Sequence, residues 1–285
     1  MVLKKKREIL AVLLALVFMF VSVACGGGNG GGGNGDSGND DVGNGGDVSA
    51  DVTQTAYSVY NQAYEALSKI DSFAANTTMI MTTLTAGGEM PVAMTGFIKM
   101  VNLSETEVEM QMDMQTDYMG FVMDSRTFYK DGMYYIDIAG AKNKVEVPLD
   151  QIMKQVSSTE AFIFSEDAIK NQNIVDKNGG KELSFTLDGN AVINEIFAQI
   201  GDFADMMAAD GIDMSIGDVD FVVFIDGQNN LKTTWMSLNM DMSIMGDTAS
   251  VNLETRLEYL QINNVTIDFP DDLDAYELAD YSNFF

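Results

Sequence analysis

The sequence predicts an α+β fold in which one long, curved antiparallel β-sheet carries helices packed against its concave face. Three observations lead there. Several segments alternate apolar and polar residues with a period of two, fewer repeat apolar residues at helical spacing, and aspartate–glycine pairs sit between apolar runs where tight turns belong. With only three prolines in 285 residues there are few sharp breaks, so a single domain is expected over residues 51–270, followed by an acidic C-terminal tail over 271–285.

Lys4, Lys5, Lys6 and Arg7 precede an apolar run from Ile9 to Val23, and the small Ala24 stands before Cys25, the one cysteine of the chain. That order is the layout of an export signal over residues 1–24. The apolar run falls short of the roughly 20 residues a spanning helix needs. Val21-Ser22-Val23-Ala24-Cys25 resembles a bacterial lipobox, with Ser22 where that motif usually carries leucine or another aliphatic residue. The resemblance implies that the Cys25 thiol is diacylated and becomes the mature N-terminus, making the membrane a partner through acyl chains. An ordinary signal peptide, or an uncleaved anchor with an incidental cysteine, is the alternative. Each buried CH2 contributes about 0.8 kcal/mol, so two or three chains moor a soluble domain firmly. From Gly26 to Asp47 the side chains have almost nothing to pack, and residues 25–50 are expected to be a disordered tether with a mean reach of about 25 Å.

Along the domain, Thr53 to Lys69 reads as a helix with Ala56, Tyr60, Ala63, Tyr64 and Leu67 on one stripe. Strands follow. Thr106, Val108, Met110, Met112 and Met114 alternate with Glu105, Glu107, Glu109, Gln111 and Asp113. Met236, Leu238, Met240, Met242 and Ile244 alternate with Ser237, Asn239, Asp241 and Ser243, and Val251, Leu253, Leu257 and Tyr259 with Asn252, Glu254, Arg256 and Glu258. Such strands belong to an antiparallel sheet with one wet face. Asp131-Gly132, Asp188-Gly189, Asp226-Gly227 and Gly246-Asp247 mark hairpins or helix entries. Further helices are expected over Leu149–Val156, Ser165–Asn171 and Ala191–Met207, the last with Ile193, Ile196, Phe197, Ile200 and Phe203 on one stripe. The expected order is helix, five or six strands, helical segments, one strand, a helix and four strands.

Charge excludes one class of partner. The formal net charge of −27 becomes −30 once residues 1–24 are removed, with 12 basic against 42 acidic side chains. A surface of that sign repels nucleic acid and anionic headgroups. Histidine is absent and a lone cysteine forms no internal disulfide, so the fold rests on its apolar core.

Phe128-Tyr129-Lys130-Asp131-Gly132-Met133-Tyr134-Tyr135-Ile136-Asp137, followed by Gly140, Lys142, Lys144 and Pro148, resembles a hairpin of certain Gram-positive surface lipoproteins. Their fold is similar to that of the LolA and LppX/LprG lipoprotein-carrier family. The resemblance implies a half-open barrel covered by helices, with an apolar cavity that takes acyl chains, on the extracytoplasmic face of a Gram-positive cell membrane. An aromatic pair flanking an Asp-Gly turn is also what any stable hairpin would use. The acyl-contacting arginine of LolA has no counterpart, since Arg126 and Arg256 fall on the wet face.

The chain's 21 methionines have three readings. Flexible thioethers fill an ordinary core, line a pocket for lipid-like ligands, or, as Met-x-Met pairs on one strand face, attract Cu(I). Without histidine in support, no metal is expected. The candidate ligand-facing residues are Met110, Met112, Met114, Met236, Leu238, Met240 and Met242. No catalytic residue and no cofactor is expected either: imidazole is missing, the carboxylates alternate as a solvated face should, and no EF-hand spacing is present. Two classes of function remain. One is a lipid-anchored extracytoplasmic protein holding a lipid- or acyl-type ligand between sheet and helices, in the handling of envelope lipid or lipoprotein; the other is a non-catalytic structural or protein-interaction module with a filled core, displayed on the cell surface.

Overall fold

The computed structural model describes residues 54–104, 107–149, 164–193, 212–244 and 247–279. Helix α1 spans Ala56–Leu67. The Thr55 side chain caps it by accepting from the Ser58 backbone N–H at 3.1 Å, and Ala56, Val59, Tyr60, Ala63 and Leu67 bury the stripe that the spacing predicts.

Two long strands come next, β1 (Ser72–Thr85) and β2 (Gly88–Ser104), then β3 (Glu107–Tyr118), β4 (Phe121–Lys130), β5 (Met133–Ile138) and β6 (Ala141–Glu146). After residues 150–163, β7 (Ile169–Lys177) and β8 (Gly180–Leu187) form a hairpin. After residues 194–211 come β9 (Ile212–Ile216), β10 (Val219–Ile225), β11 (Leu231–Ile244) and β12 (Asp247–Ile262). A two-residue β13 (Glu277–Leu278) closes the series.

All thirteen strands join one curved, unclosed sheet in the order β13-β6-β5-β4-β3-β2-β1-β12-β11-β10-β8-β7, with β9 beside the far half of β11. Every pairing is antiparallel except that of β13 with β6. The central ladder β2-β1-β12-β11 is held over long stretches, so one choice of register decides which side chains face the core. The alternating strands are therefore as expected, and α1 packs on the apolar face through Tyr60. That ring stacks on Phe164 at 5.5 Å and meets Phe221 edge-on at 5.5 Å, with Phe185 closing the group.

Three expectations change. Ser165–Asn171 is not a helix: a short 3-10 turn covers Glu166–Ala168, and strand β7 begins at Ile169. An acidic first turn resembles a helix start, but so short a helix gains little by itself, whereas Asn171 to Lys177 find backbone partners along β8. Two strands therefore replace the single one expected between the helical segments. The predicted helix Leu149–Val156 lies outside the described residues beyond position 149, and of Ala191–Met207 only the start is described, within a helical stretch over 189–193. Asp188 caps that stretch, accepting from the amides of Asn190 and Ala191, and Lys170 bridges Asp188 and Asp218.

Residues 271–279, assigned by sequence to a tail, are docked on the sheet. From residue 263 the chain runs as a strap across the wet face of β2 to β6. Lys99 donates to the Thr266 carbonyl, Phe269 packs on Phe128 under the Lys130 ammonium, and Lys142 pairs with Asp272 at 2.5 Å. Tyr276 is buried edge-on against Tyr135, and the Ala279 amide donates to the Lys144 carbonyl. Strap and hairpin thus use the aromatic and lysine positions of the 128–148 segment. At its turn, Asp131 and Gly132 both take positive φ, 51° and 77°, as a two-residue hairpin turn requires.

Lys142 holds the Asp272 carboxyl below its ordinary range, and Asp272 raises Lys142 in turn. A depressed carboxyl stabilises fully above its unfolded value, about 4, and ceases to do so as pH falls through the folded one. A raised lysine stabilises below its unfolded value and loses this as pH rises through the folded one. The strap is accordingly held best from about pH 5 to pH 9. Because an exposed pair contributes little, the hydrogen-exchange protection factor of Ala279 should fall only a few-fold below about pH 4 while that of the β1–β12 ladder persists, and Asp272→Asn should reproduce that small loss at pH 7.

Candidate functional site

The strand registers lay the apolar side chains in transverse rows. One row runs Val92, Met81, Leu253, Leu238, Val219 and Leu187 across six strands. The next runs Met94, Met79, Thr255, Met236, Phe221 and Phe185. Except for Thr255, every side chain in these two rows is buried. Together they make a broad apolar face in which thioethers alternate with branched and aromatic groups. Unbranched, polarizable methionines conform to irregular neighbours there.

All seven sequence-predicted residues sit on this face, in two separate sets. Met236, Leu238, Met240 and Met242 are buried on β11, and Met114 is buried on β3, while Met110 and Met112 are half-buried. Four strand spacings separate β3 from β11, roughly 19 Å. Methionines 79 and 81 on β1, and 94 and 100 on β2, bridge the gap. Met94 and Met100 were missed because β2 is interrupted by Pro91 and Gly96, which breaks the visible alternation.

Gly96 has a steric role. A Cβ there would lie 2.0 Å from the Met114 sulfur and 2.9 Å from the Asp113 carbonyl oxygen, so the missing side chain is the space that Met114 fills. Gly96→Ala should cost about 1–3 kcal/mol by overpacking, read as a lower urea midpoint with unchanged slope, and Met114→Ala in the same chain should recover part of it.

The electrostatics of this face are simple. Burial pushes the Tyr60 hydroxyl well above its ordinary value, with a smaller contribution from Tyr64. A second, smaller core under β4 to β6 holds Tyr129, Val145 and Val147, where the Tyr129 hydroxyl donates to the Val147 carbonyl at 3.1 Å. Among the described residues there is no cluster of three metal-ligating side chains and no helix long and apolar enough to cross a membrane. Among the described residues, two clefts open at the surface. One of about 910 Å³ lies on the wet face over β12 and β1 to β5, and one of about 480 Å³ lies beside the β7–β8 and β10–β11 turns. Cys25 lies outside the described residues.

A family model matches residues 55–275, and the chain belongs to that family, a family of unknown function (DUF6612). No curated protein matches it. Among solved structures the chain is similar to LprF from Mycobacterium bovis, at 13% identity over 75% of this chain and 96% of that one, with a TM-score of 0.37. It is also similar to an outer membrane lipoprotein-sorting protein domain from Vibrio parahaemolyticus (11% identity, 71% and 90% covered, TM-score 0.23) and to lipovitellin (6% identity, 70% and 26% covered, TM-score 0.35). All three scores lie below 0.5, where a similar outline does not extend to a shared site.

Proposed function

We propose that this chain is a lipid-anchored, extracytoplasmic binding protein that holds a hydrophobic molecule against the apolar face of its sheet. The observation that carries the reading is the methionine-dense row pattern. Thioethers run along this face from β3 to β11, and two of them remain half-buried, Met112 against the main core and Met110 against the smaller core around Tyr129. Adaptable apolar side chains at a partly covered position suit a ligand of variable shape, such as an acyl chain. The export signal, Cys25 and the glycine-rich run after it supply the anchor and tether in this reading, with the domain facing outward from the cell membrane. The role is binding without catalysis. Histidine is absent from the chain, and three of the wet-face carboxylates, Asp113, Asp124 and Asp272, are tied into pairs with Arg126, Gln115 and Lys142.

If the reading holds, organic extraction of the full chain purified in mild detergent yields a stoichiometric hydrophobic molecule by mass spectrometry. The double variant Met110→Gln, Met112→Gln should lose most of it while melting within a few degrees of wild type. An extract with no such molecule would sink the carrier role. Cys25→Ser should move the protein from the membrane fraction to the medium; retention would remove the acyl anchor.

One observation favours a second reading. The rings of Tyr60, Phe164, Phe185 and Phe221 fill the space between α1 and the sheet with mutual centroid distances of 5.2–6.1 Å. A filled interior along the whole face would make the chain a display module for protein partners, and the empty extract is its expected outcome.

A further inference from the structure

The wet face carries a cleft that neither reading uses. Two neighbouring rows of side chains build it, each crossing the strands at right angles. The first runs Arg256, Thr78, Thr95, Gln115 and Asp124; the second runs Glu258, Asn76, Phe97, Asp113, Arg126 and Asp137. These residues line an open trough of about 910 Å³. It spans six strands, hence about 24 Å at the usual strand spacing. The walls are preset by hydrogen bonds: Arg126 Nε to Asp113 at 2.8 Å, Gln115 Nε2 to Asp124 at 2.9 Å, and the Gly140 amide to Asp137 at 2.9 Å.

We infer that this trough binds an extended, uncharged oligosaccharide. Its lining alternates donors and acceptors along the whole length, through guanidinium, carboxamide, hydroxyl and carboxylate groups, which is what a chain of hydroxyl-bearing rings requires. Phe97, half-buried at the centre with the Lys99 ammonium 5.9 Å from its ring centroid, leaves part of its aromatic surface open, and the C–H face of a sugar ring can rest there. Four carboxylates against two guanidiniums leave the trough net negative, so a polyanion is repelled. A lipid fits poorly: every side chain of the two rows except Phe97 is polar or charged, and an acyl chain would cover those groups without pairing them. A peptide fits poorly as well: the trough lies across the interior of the sheet, where strand addition is impossible, and the peptide's own N–H and C=O groups would all need side-chain partners.

Trp235, the single tryptophan, sits directly across from Arg256 in the first row and reports on that end of the trough. The test is a titration of the full chain in mild detergent, read by Trp235 fluorescence and calorimetry. The probes are a β-linked glucose hexamer, an N-acetylglucosamine hexamer, the two corresponding monosaccharides, heparin and an oligolysine peptide. One or both hexamers should bind saturably, at least tenfold more tightly than the matching monosaccharide. Phe97→Ala should weaken that binding about tenfold, the scale of one aromatic contact. Arg256→Gln, at an exposed position, should weaken it measurably while leaving the melting temperature in place. The inference is overturned if neither hexamer binds, if heparin or oligolysine binds in preference, or if both variants bind the hexamers as wild type does.

Discussion

Everything in this molecule depends on the register of four long strands, β2, β1, β12 and β11. Side chains alternate across a strand, so a shift of one residue in any of the three pairings would send the methionines into water and the carboxylates into the core. The penalty for that is what makes the alignment unique. The pairing in turn creates both faces at once: apolar rows on one side, and on the other the hydrogen-bonded rows that end in Asp137 and Asp124. Two surfaces of opposite chemistry, each several strands wide, follow from a single alternating pattern.

The strap from residue 263 onward adds a long-range constraint to this local one. Residues more than a hundred positions apart, such as Lys142 and Asp272 or Tyr135 and Tyr276, meet on the wet face. The contacts are of mixed kind, with an ion pair, ring packing and a short parallel ladder, so no single one determines the placement. Phe128, which faces the wet side, is buried because Phe269 covers it. Exposed ion pairs such as Lys142–Asp272 contribute little each, so the ring contacts and the buried Tyr276 carry most of the docking.

Much of the sheet was legible in sequence because its signal is local. The segments around Met110, Met240 and Leu253 announce their faces by alternation alone, and Asp188-Gly189 marks a helix entry where Asp188 does cap one. What was not legible depends on partners distant in the chain. Ser165–Asn171 has a helix-like acidic start, and only the neighbouring strand β8 makes Ile169 onward extended. Leu273 to Leu278 reads as an acidic tail until the lysines of β6 and the ring of Tyr135 are set beside it. The aromatic and lysine pattern of residues 128–148 signalled a stable hairpin, and its second purpose as the strap's landing surface was invisible without Asp272 in view. For the candidate site, the seven predicted residues were placed on one face, while the bridging Met94 and Met100 were hidden by Pro91 and Gly96.

An unclosed sheet has two borders, and each is a template on which another chain could polymerise. Here β13 occupies one border and Lys170, Asn171, Gln172, Asn173 and Lys177 stud the other, β7, with groups that favour water over stacking. Shortening the chain before Glu277 would unmask β6 and leave its backbone groups seeking new neighbours. Strand β13 is therefore a guard against fibre growth as much as a piece of the architecture.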